Sequence, residues 1–521
     1  MILDLILFFI FTQLIYFSII GYGNIIFTEK QDANLYIFIS FLFGFILLNI
    51  TGFILYYLNI NNQYVNVVVL IIGIIFFIKK NLDKKYTDYV FYNLIFFSGI
   101  IISKLHEDWP YHFAYIDQVA RFTPMIGIGN VDDIAILSAS FVSYLQKILF
   151  LPYFNFKLIL IPIYLIYLNL IIYLIKELRV EKKIVGFIFL LITSMLLIKI
   201  NRVSEFGYDY PFNFFLLSLV ILFFKNNFSL KKNNLPSTII YLIIFIYSVA
   251  VKVTALFFLP ILISIIIFEK KNIEFKSIKL LTILGFFLIS IFFLDNFFKS
   301  GCILYFVKQT CFTNLVDWST DYYRIENHAR HVELWAKGFY IQNIQKDPSI
   351  YLENLNWFNN WLDNHFFYKI FEFLIIPVIF VISYFFFKKN KIIKINYNCI
   401  ILFIGSIISV IFWFLQIPQL RFASAILIFV FCTIVLIFNL KISLKKNIIS
   451  IMLIILFFIY NGKNLNRILK EFKRDDAYNF INFPFPPAKR IRLEDRQIKF
   501  SLYKNKEIKD HKWLKIISNN N

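Results

Sequence analysis

The sequence predicts an all-α fold: a polytopic transmembrane bundle of about 12–14 helices with two large extracytoplasmic loops. Three observations lead there. Hydrophobic residues make up 59% of the 521 residues and charged ones only 16%, with a mean hydropathy of +0.70, whereas soluble domains hold about 45–50% apolar and about 25% charged residues. Apolar runs able to cross a bilayer core of about 30 Å recur along the chain. The basic residues gather in alternate connections between those runs, the bias that orients helices in a membrane.

In chain order the runs lie near 5–26, 35–58, 64–78, 89–103, 158–175, 184–200, 212–224, 238–251, 253–268, 280–298, 368–387, 397–415, 422–439 and 448–461. The first is expected to stay as an anchor, because it lacks a basic leading segment and no small-residue cleavage site follows it. With that helix starting outside, the inside connections hold Lys79, Lys80, Lys84 and Lys85, then Lys176, Arg179, Lys182 and Lys183, and similar clusters to Lys446. The short outside connections hold only Arg202, Lys252 and Arg421. This places residues 104–157 and 299–367 outside, as loops of a membrane domain spanning 1–461. The basic tail, 462–521, falls outside by the same count, after an extended Pro-rich hinge at 483–487.

A formal net charge of +21 normally suggests nucleic acid or an acidic surface as partner. Here the inside connections and the tail hold more than the whole surplus, leaving the spans and outer face slightly acidic on balance. The charge therefore reflects topology and attraction to lipid headgroups, not nucleic-acid binding. No CxxC occurs, so a zinc ribbon or thioredoxin-like site has no support.

Reactive side chains concentrate outside: His106, His112, His328, His331 and His365 lie in the two long segments, with Trp109, Trp318, Trp335, Trp357 and Trp361. In the first, Glu107 and Asp108 adjoin the end of a helix, where acids oppose the macrodipole and so do not serve that helix. Two adjacent carboxylates can divide labour, one as general base for a hydroxyl and its neighbour as ligand to substrate or a divalent cation. A solvated turn is the plainer alternative. Residues 134–150 are helical in pattern but too polar to span, which suits a helix lying along the interface. Cys302 and Cys311 sit on the oxidising side, where either a disulfide or two separate packing residues is open, while Cys399 and Cys432 read as packing residues. His328, His331 and Glu333 match no zinc spacing and read as surface polar groups. Arg202, Lys252 and Arg421 oppose the topogenic bias. A phosphate at headgroup level is one reason to keep them, since Arg grips phosphate bidentately and Lys adds a point charge; snorkelling to lipid is the other.

The order of many helices, an acidic motif in the first outer loop, a second large loop and a late Pro-x-x-Arg resembles the GT-C superfamily of membrane glycosyltransferases. Tyr111-His112, Gly127-Ile128-Gly129-Asn130, Arg202-Val203-Ser204 through Asp209, Gly301 through Trp318, Trp335-Ala336, and Trp413 through Arg421-Phe422 are more closely similar to a family of bacterial inner-membrane proteins grouped with those enzymes. The resemblance implies inverting transfer of a sugar from a polyprenyl-phosphate donor to an envelope glycan or lipid acceptor on the extracytoplasmic face. Asp108 or Glu107 would be the base. Arg421, with Arg202 or Lys252, would neutralise the leaving lipid phosphate, and Tyr111, His112, Asn130, Asp209 and Trp318 would line the substrate. No cofactor is implied beyond that divalent metal. A flippase for lipid-linked glycans and a polysaccharide polymerase or ligase are competing classes. Charge-poor spans argue against the first, and the second would leave Glu107 and Asp108 dispensable.

Overall fold

A backbone in lipid must satisfy its own hydrogen bonds, so apolar runs of this length fold as helices. The computed structural model describes residues 2–27, 32–81, 86–102, 109–130, 139–154, 156–181, 184–198, 203, 207–229, 237–269, 279–305, 307–313, 315–339, 347–386, 396–438 and 451–459, and short pieces of the tail. The first helices are α1 (Ile2–Ile26), α2 (Ala33–Tyr57), α3 (Gln63–Asn81), α4 (Thr87–Phe96), α5 (Ser98–Ile102), α6 (Trp109–Arg121) and α7 (Ser143–Ile148). Then come α8 (Ile161–Leu178), α9 (Ile184–Ile198), α10 (Asp209–Phe228), α11 (Ser237–Val251), α12 (Leu259–Glu269) and α13 (Lys279–Ser300). The last set is α14 (Tyr322–Ala336), α15 (Pro348–Leu352), α16 (Phe358–Trp361), α17 (Phe371–Phe386), α18 (Ile400–Gln416) and α19 (Leu420–Ile437), with a wide-turned segment, Leu362–Ile370, leading into α17.

The chain is thus a helical bundle, and eight of its described helical segments are long and apolar enough to cross a membrane. The other expected spans coincide with shorter helices. The 15 residues of α9 or of α11 rise about 22 Å, short of a bilayer core of about 30 Å. At the centre runs α8, with 94% of its apolar window buried. Helices α1 and α2 pack at backbone contact, because glycines remove the side chains between them: a Cβ on Gly44 would stand 1.7 Å from the Ile19 carbonyl oxygen, and one on Gly23 1.7 Å from that of Ser40.

Charged groups occupy two opposite ends of the bundle, as the price of leaving water requires. At one end the starts of α2 and α4 meet the last turns of α8 and α10. Lys225, fully buried, pairs with Glu177, with Glu181 at 3.2 Å and with Asp32 at 4.0 Å, and Lys176 lies 3.6 Å from Asp88. At the other end the start of α10 meets the end of α11 and the start of α19, together with the segments after α6 and α13. This two-ended pattern agrees with alternating helix direction, and the second end collects all the described parts of 104–157 and 299–367.

Residues 143–148 correct one expectation. Rather than lying along an interface, α7 is wholly buried against α2 and α6: Asn49 Oδ1 accepts from the Leu145 amide at 3.2 Å, and Asn66 donates to the Lys147 and Phe150 carbonyls at 2.9 and 3.0 Å. Those two asparagines satisfy its backbone polar groups away from water. The tail returns to the same end. Strands β2 (Ile508–Asp510) and β3 (Lys515–Ile517) pair antiparallel, and β3 runs parallel to β1 (Met125–Ile126), with Met125 opposite Lys515 and Ile126 opposite Ile516.

Two outcomes are expected. Gly44→Val forces α1 and α2 apart and costs about 1–3 kcal/mol, read as an earlier midpoint in detergent unfolding. A membrane-impermeant thiol reagent acting on Tyr153→Cys, whose parent tyrosine is 66% exposed, and a reporter fused to the C-terminus mark the same side of the membrane, since β3 pairs with β1.

Candidate functional site

The site is built where three helix ends converge. Asp209 opens α10, Lys252 follows the last residue of α11, and Arg421 is the second residue of α19. A cation suits the C-terminal end of α11, but Arg421 stands against the positive end of its own helix dipole and needs a partner. Asp209 supplies it: one carboxylate oxygen meets Arg421 Nη1 at 3.0 Å and the other accepts from Lys252 Nζ. Two cations share one carboxylate, and all three are only partly covered, at 25%, 26% and 13% exposure for Arg421, Lys252 and Asp209.

The aromatic residues around them are placed to hold cations. The Arg421 guanidinium carbon lies 4.3 Å from the Trp335 ring centroid and 5.0 Å from that of Phe422, and Lys252 Nζ is 4.6 Å from the latter. The backbone leading to Arg421 is also held carbonyl by carbonyl. Trp361 Nε1 donates to Pro418 O at 2.6 Å, Trp413 Nε1 to Gln419 O at 2.9 Å, and Asn213 Nδ2 to Arg421 O at 2.7 Å. Asn213 also accepts from the Ala425 amide at 3.2 Å, joining α10 to α19.

From α6, His112 packs edge-on against Tyr208 at 4.5 Å and adds to the positive field on Asp209. Gly207 lies against the same ring: a Cβ there would stand 3.4 Å from His112 Nε2, at ordinary contact distance. One helical turn along α6, Tyr115 meets Tyr144 at 3.3 Å; Tyr144 donates to Asp295 at 2.6 Å, and Lys299 pairs with Asp295 at 2.5 Å while donating to the Ala139 carbonyl at 3.0 Å. This buried ion pair anchors the segment before α7.

His365 lies in the wide-turned segment, 4% exposed, and donates to the Trp335 backbone carbonyl. Burial, and then the charges of Lys369 and Arg421, push its imidazole down to about 4, so it is neutral at ordinary pH. Three buried polar atoms near the Arg421 loop have no hydrogen-bond partner in the protein: Arg421 Nε, the Gln419 amide nitrogen and His365 Nε2.

The sequence-derived residues divide accordingly. His112, Asp209, Lys252 and Arg421 come together. Asn130 and Trp318 come together elsewhere, in a seam between the two loops: Asn130 Nδ2 donates to the Trp318 carbonyl at 2.9 Å, and Arg324 donates to the Asn130 carbonyl at 3.2 Å. Cys302 and Cys311 form a disulfide beside that seam, and Cys399 and Cys432 are buried free thiols. Glu107, Asp108 and Arg202 lie outside the described residues, as does the side chain of Tyr111. Among the described residues no group of three or more His, Cys, Asp or Glu is arranged to hold a metal. Gln419 and Asn213 carry no signal in the sequence, and His365 stands out there only as one of the Trp and His residues crowded into the second loop.

Fold and site together define a helical, multi-pass membrane protein with a mixed-charge cluster at one end. The chain belongs to a family described as a domain of unknown function (DUF8201), whose sequence profile matches residues 1–428. That span covers every described residue of the cluster. No curated protein and no solved structure matches the chain.

Trp361→Phe keeps an aromatic ring, smaller than the indole, and removes the donor to Pro418. It should cost about 1–3 kcal/mol for a carbonyl left unsatisfied, visible as a lowered unfolding midpoint. His365 generates a pH effect of defined sign. Its folded-state value lies below the ordinary value of about 6.5, so the unfolded chain binds the extra proton between those limits. The stability of the native protein relative to a His365→Phe variant therefore holds above pH 6.5 and falls as the pH drops towards 4. Unfolding midpoints of the two proteins across that range check it.

Proposed function

We propose that this protein is a GT-C-like membrane glycosyltransferase that moves a sugar from a polyprenyl-phosphate donor to an envelope glycan or lipid acceptor, on the extracytoplasmic face of a bacterial inner membrane. One observation carries the reading: Arg421 and Lys252 share a single carboxylate, a net positive pair that retains an unpartnered buried donor, Arg421 Nε. A phosphate oxygen is the acceptor such a pair favours.

In the reaction, the acceptor hydroxyl attacks the anomeric carbon while a carboxylate, Asp108 or Glu107, takes its proton. The bond from that carbon to the phosphate oxygen breaks, and the lipid phosphate leaves with the electron pair. Charge grows on the departing phosphate, and Arg421 and Lys252 stabilise it in proportion to that growth. Asp209 keeps both cations in place before the donor arrives. The polymerase or ligase reading draws on the same cations but does not need the acidic pair. The flippase reading calls for charge near the bilayer midplane, and the charged pairs described here lie at helix ends.

The test is an envelope-polysaccharide profile of cells carrying Arg421→Ala, Glu107→Gln or Asp108→Asn at matched expression. The expected result is loss of product with Arg421→Ala, about 10²–10³-fold in rate for a removed charge-stabilising donor, and loss with at least one acidic variant. Normal product from both acidic variants with loss from Arg421→Ala would move the assignment to a polymerase or ligase. Wild-type behaviour in all three removes the enzyme reading.

A further inference from the structure

Buried polar atoms are almost always paired, so orphaned ones gathered in one place call for an explanation. Around the 419–421 loop they are of two kinds. Arg421 Nε and the Gln419 amide nitrogen are donors. His365 Nε2 is an acceptor, because the imidazole already donates its other nitrogen's proton to the Trp335 carbonyl. Trp335 stands between the two kinds: its carbonyl orients His365 and its indole face holds the Arg421 guanidinium at 4.3 Å.

A bare phosphate monoester, ionised at neutral pH, satisfies donors only. The unused His365 lone pair suits a ligand with a donor of its own close to its anionic group. We infer that His365 accepts a hydrogen bond from a hydroxyl of a phosphate-linked sugar, so that this end of the bundle distinguishes a glycosylated phosphate from an unglycosylated one. The inference rests on the phosphate-site reading of Arg421 and Lys252 and adds the group that recognises the sugar. A histidine protonated at neutral pH could not play this part, since both ring nitrogens would then donate. The burial and neighbouring cations that keep His365 neutral favour the acceptor form. Its i−4 neighbour Trp361 fixes the same backbone turn through Pro418, so the two recognition groups are set by one packed unit.

The experiment uses the full chain in lipid nanodiscs and two probes, polyprenyl monophosphate and polyprenyl-phosphoryl hexose, with affinities measured for the native protein, His365→Phe, His365→Gln and Arg421→Ala. His365→Phe should weaken the hexose-bearing probe several-fold to about tenfold, the range of one hydrogen bond, and change the monophosphate less than about twofold. His365→Gln, which keeps an acceptor, should recover much of the loss, and Arg421→Ala should weaken both probes. Equal weakening of both probes by His365→Phe, or of neither, overturns the hydroxyl assignment while leaving the phosphate site standing. If the native protein binds neither probe, or Arg421→Ala alters neither, the phosphate reading fails and this inference with it. Should His365→Phe not fold, nitrogen-15 histidine spectra of the native protein decide: the unprotonated Nε2 resonance must move with the hexose-bearing probe and stay in place with the monophosphate.

Discussion

Asp209 is the residue on which three helices agree. It begins α10, and its carboxylate draws in Lys252 from the end of α11 and Arg421 from the start of α19. Without it, two cations would face each other at the edge of an apolar bundle, one of them against its own helix dipole. Through Arg421 the junction extends to Trp335 in the second loop, and through His112 to α6 in the first. A single acid thereby ties together segments more than 200 positions apart in the chain, and other contacts around it, such as the Asn213 bridge to Ala425, keep the same helices in register.

The opposite end of the bundle follows the same rule with the signs reversed. Lys225 is buried among carboxylates of α8, of the turn after it and of the cap of α2. Nearby, Glu269 accepts from Asn227, from Ser237 at 2.8 Å and from Tyr241 at 3.1 Å. Charge is expensive inside lipid but affordable at helix ends, where partners from neighbouring helices and the water boundary are both within reach. That constraint explains why both polar clusters occur where helices turn, and why the centre of α8 carries tyrosine and asparagine hydrogen bonds in place of ions, as between Tyr16 and Asn169 at 3.2 Å.

Much of this was legible in the residues. Apolar runs marked the helices, because backbone hydrogen bonding in lipid favours them, and Arg202, Lys252 and Arg421 stood out as cations in connections otherwise poor in basic residues, while Asp209 entered only through the motif resemblance. Less legible was which candidates meet. Asn130 and Trp318 belong to short motifs like those of Asp209 and Arg421, yet they form a seam between loops, where the Asn130 side-chain amide donates to the Trp318 carbonyl and the Trp318 indole to the Phe297 carbonyl. The polar run at 143–148 looked interfacial because hydropathy cannot register Asn49 and Asn66, which lie about 80–100 positions away and receive it inside the bundle. His365 was one of five histidines in the outer loops, with nothing in its neighbours to show that its ring would be buried against Trp335.

By itself, then, the sequence determined the membrane class and the course of the long helices, because hydrophobicity acts on each segment almost independently of the others. Only the tertiary structure decided that Asp209 would serve two cations at once, that tryptophans from two different segments would hold consecutive carbonyls ahead of Arg421, and that His365 would keep a lone pair beside them. Those properties depend on groups distant in sequence being brought within hydrogen-bonding range, and a hydrogen bond or buried ion pair is defined by that geometry.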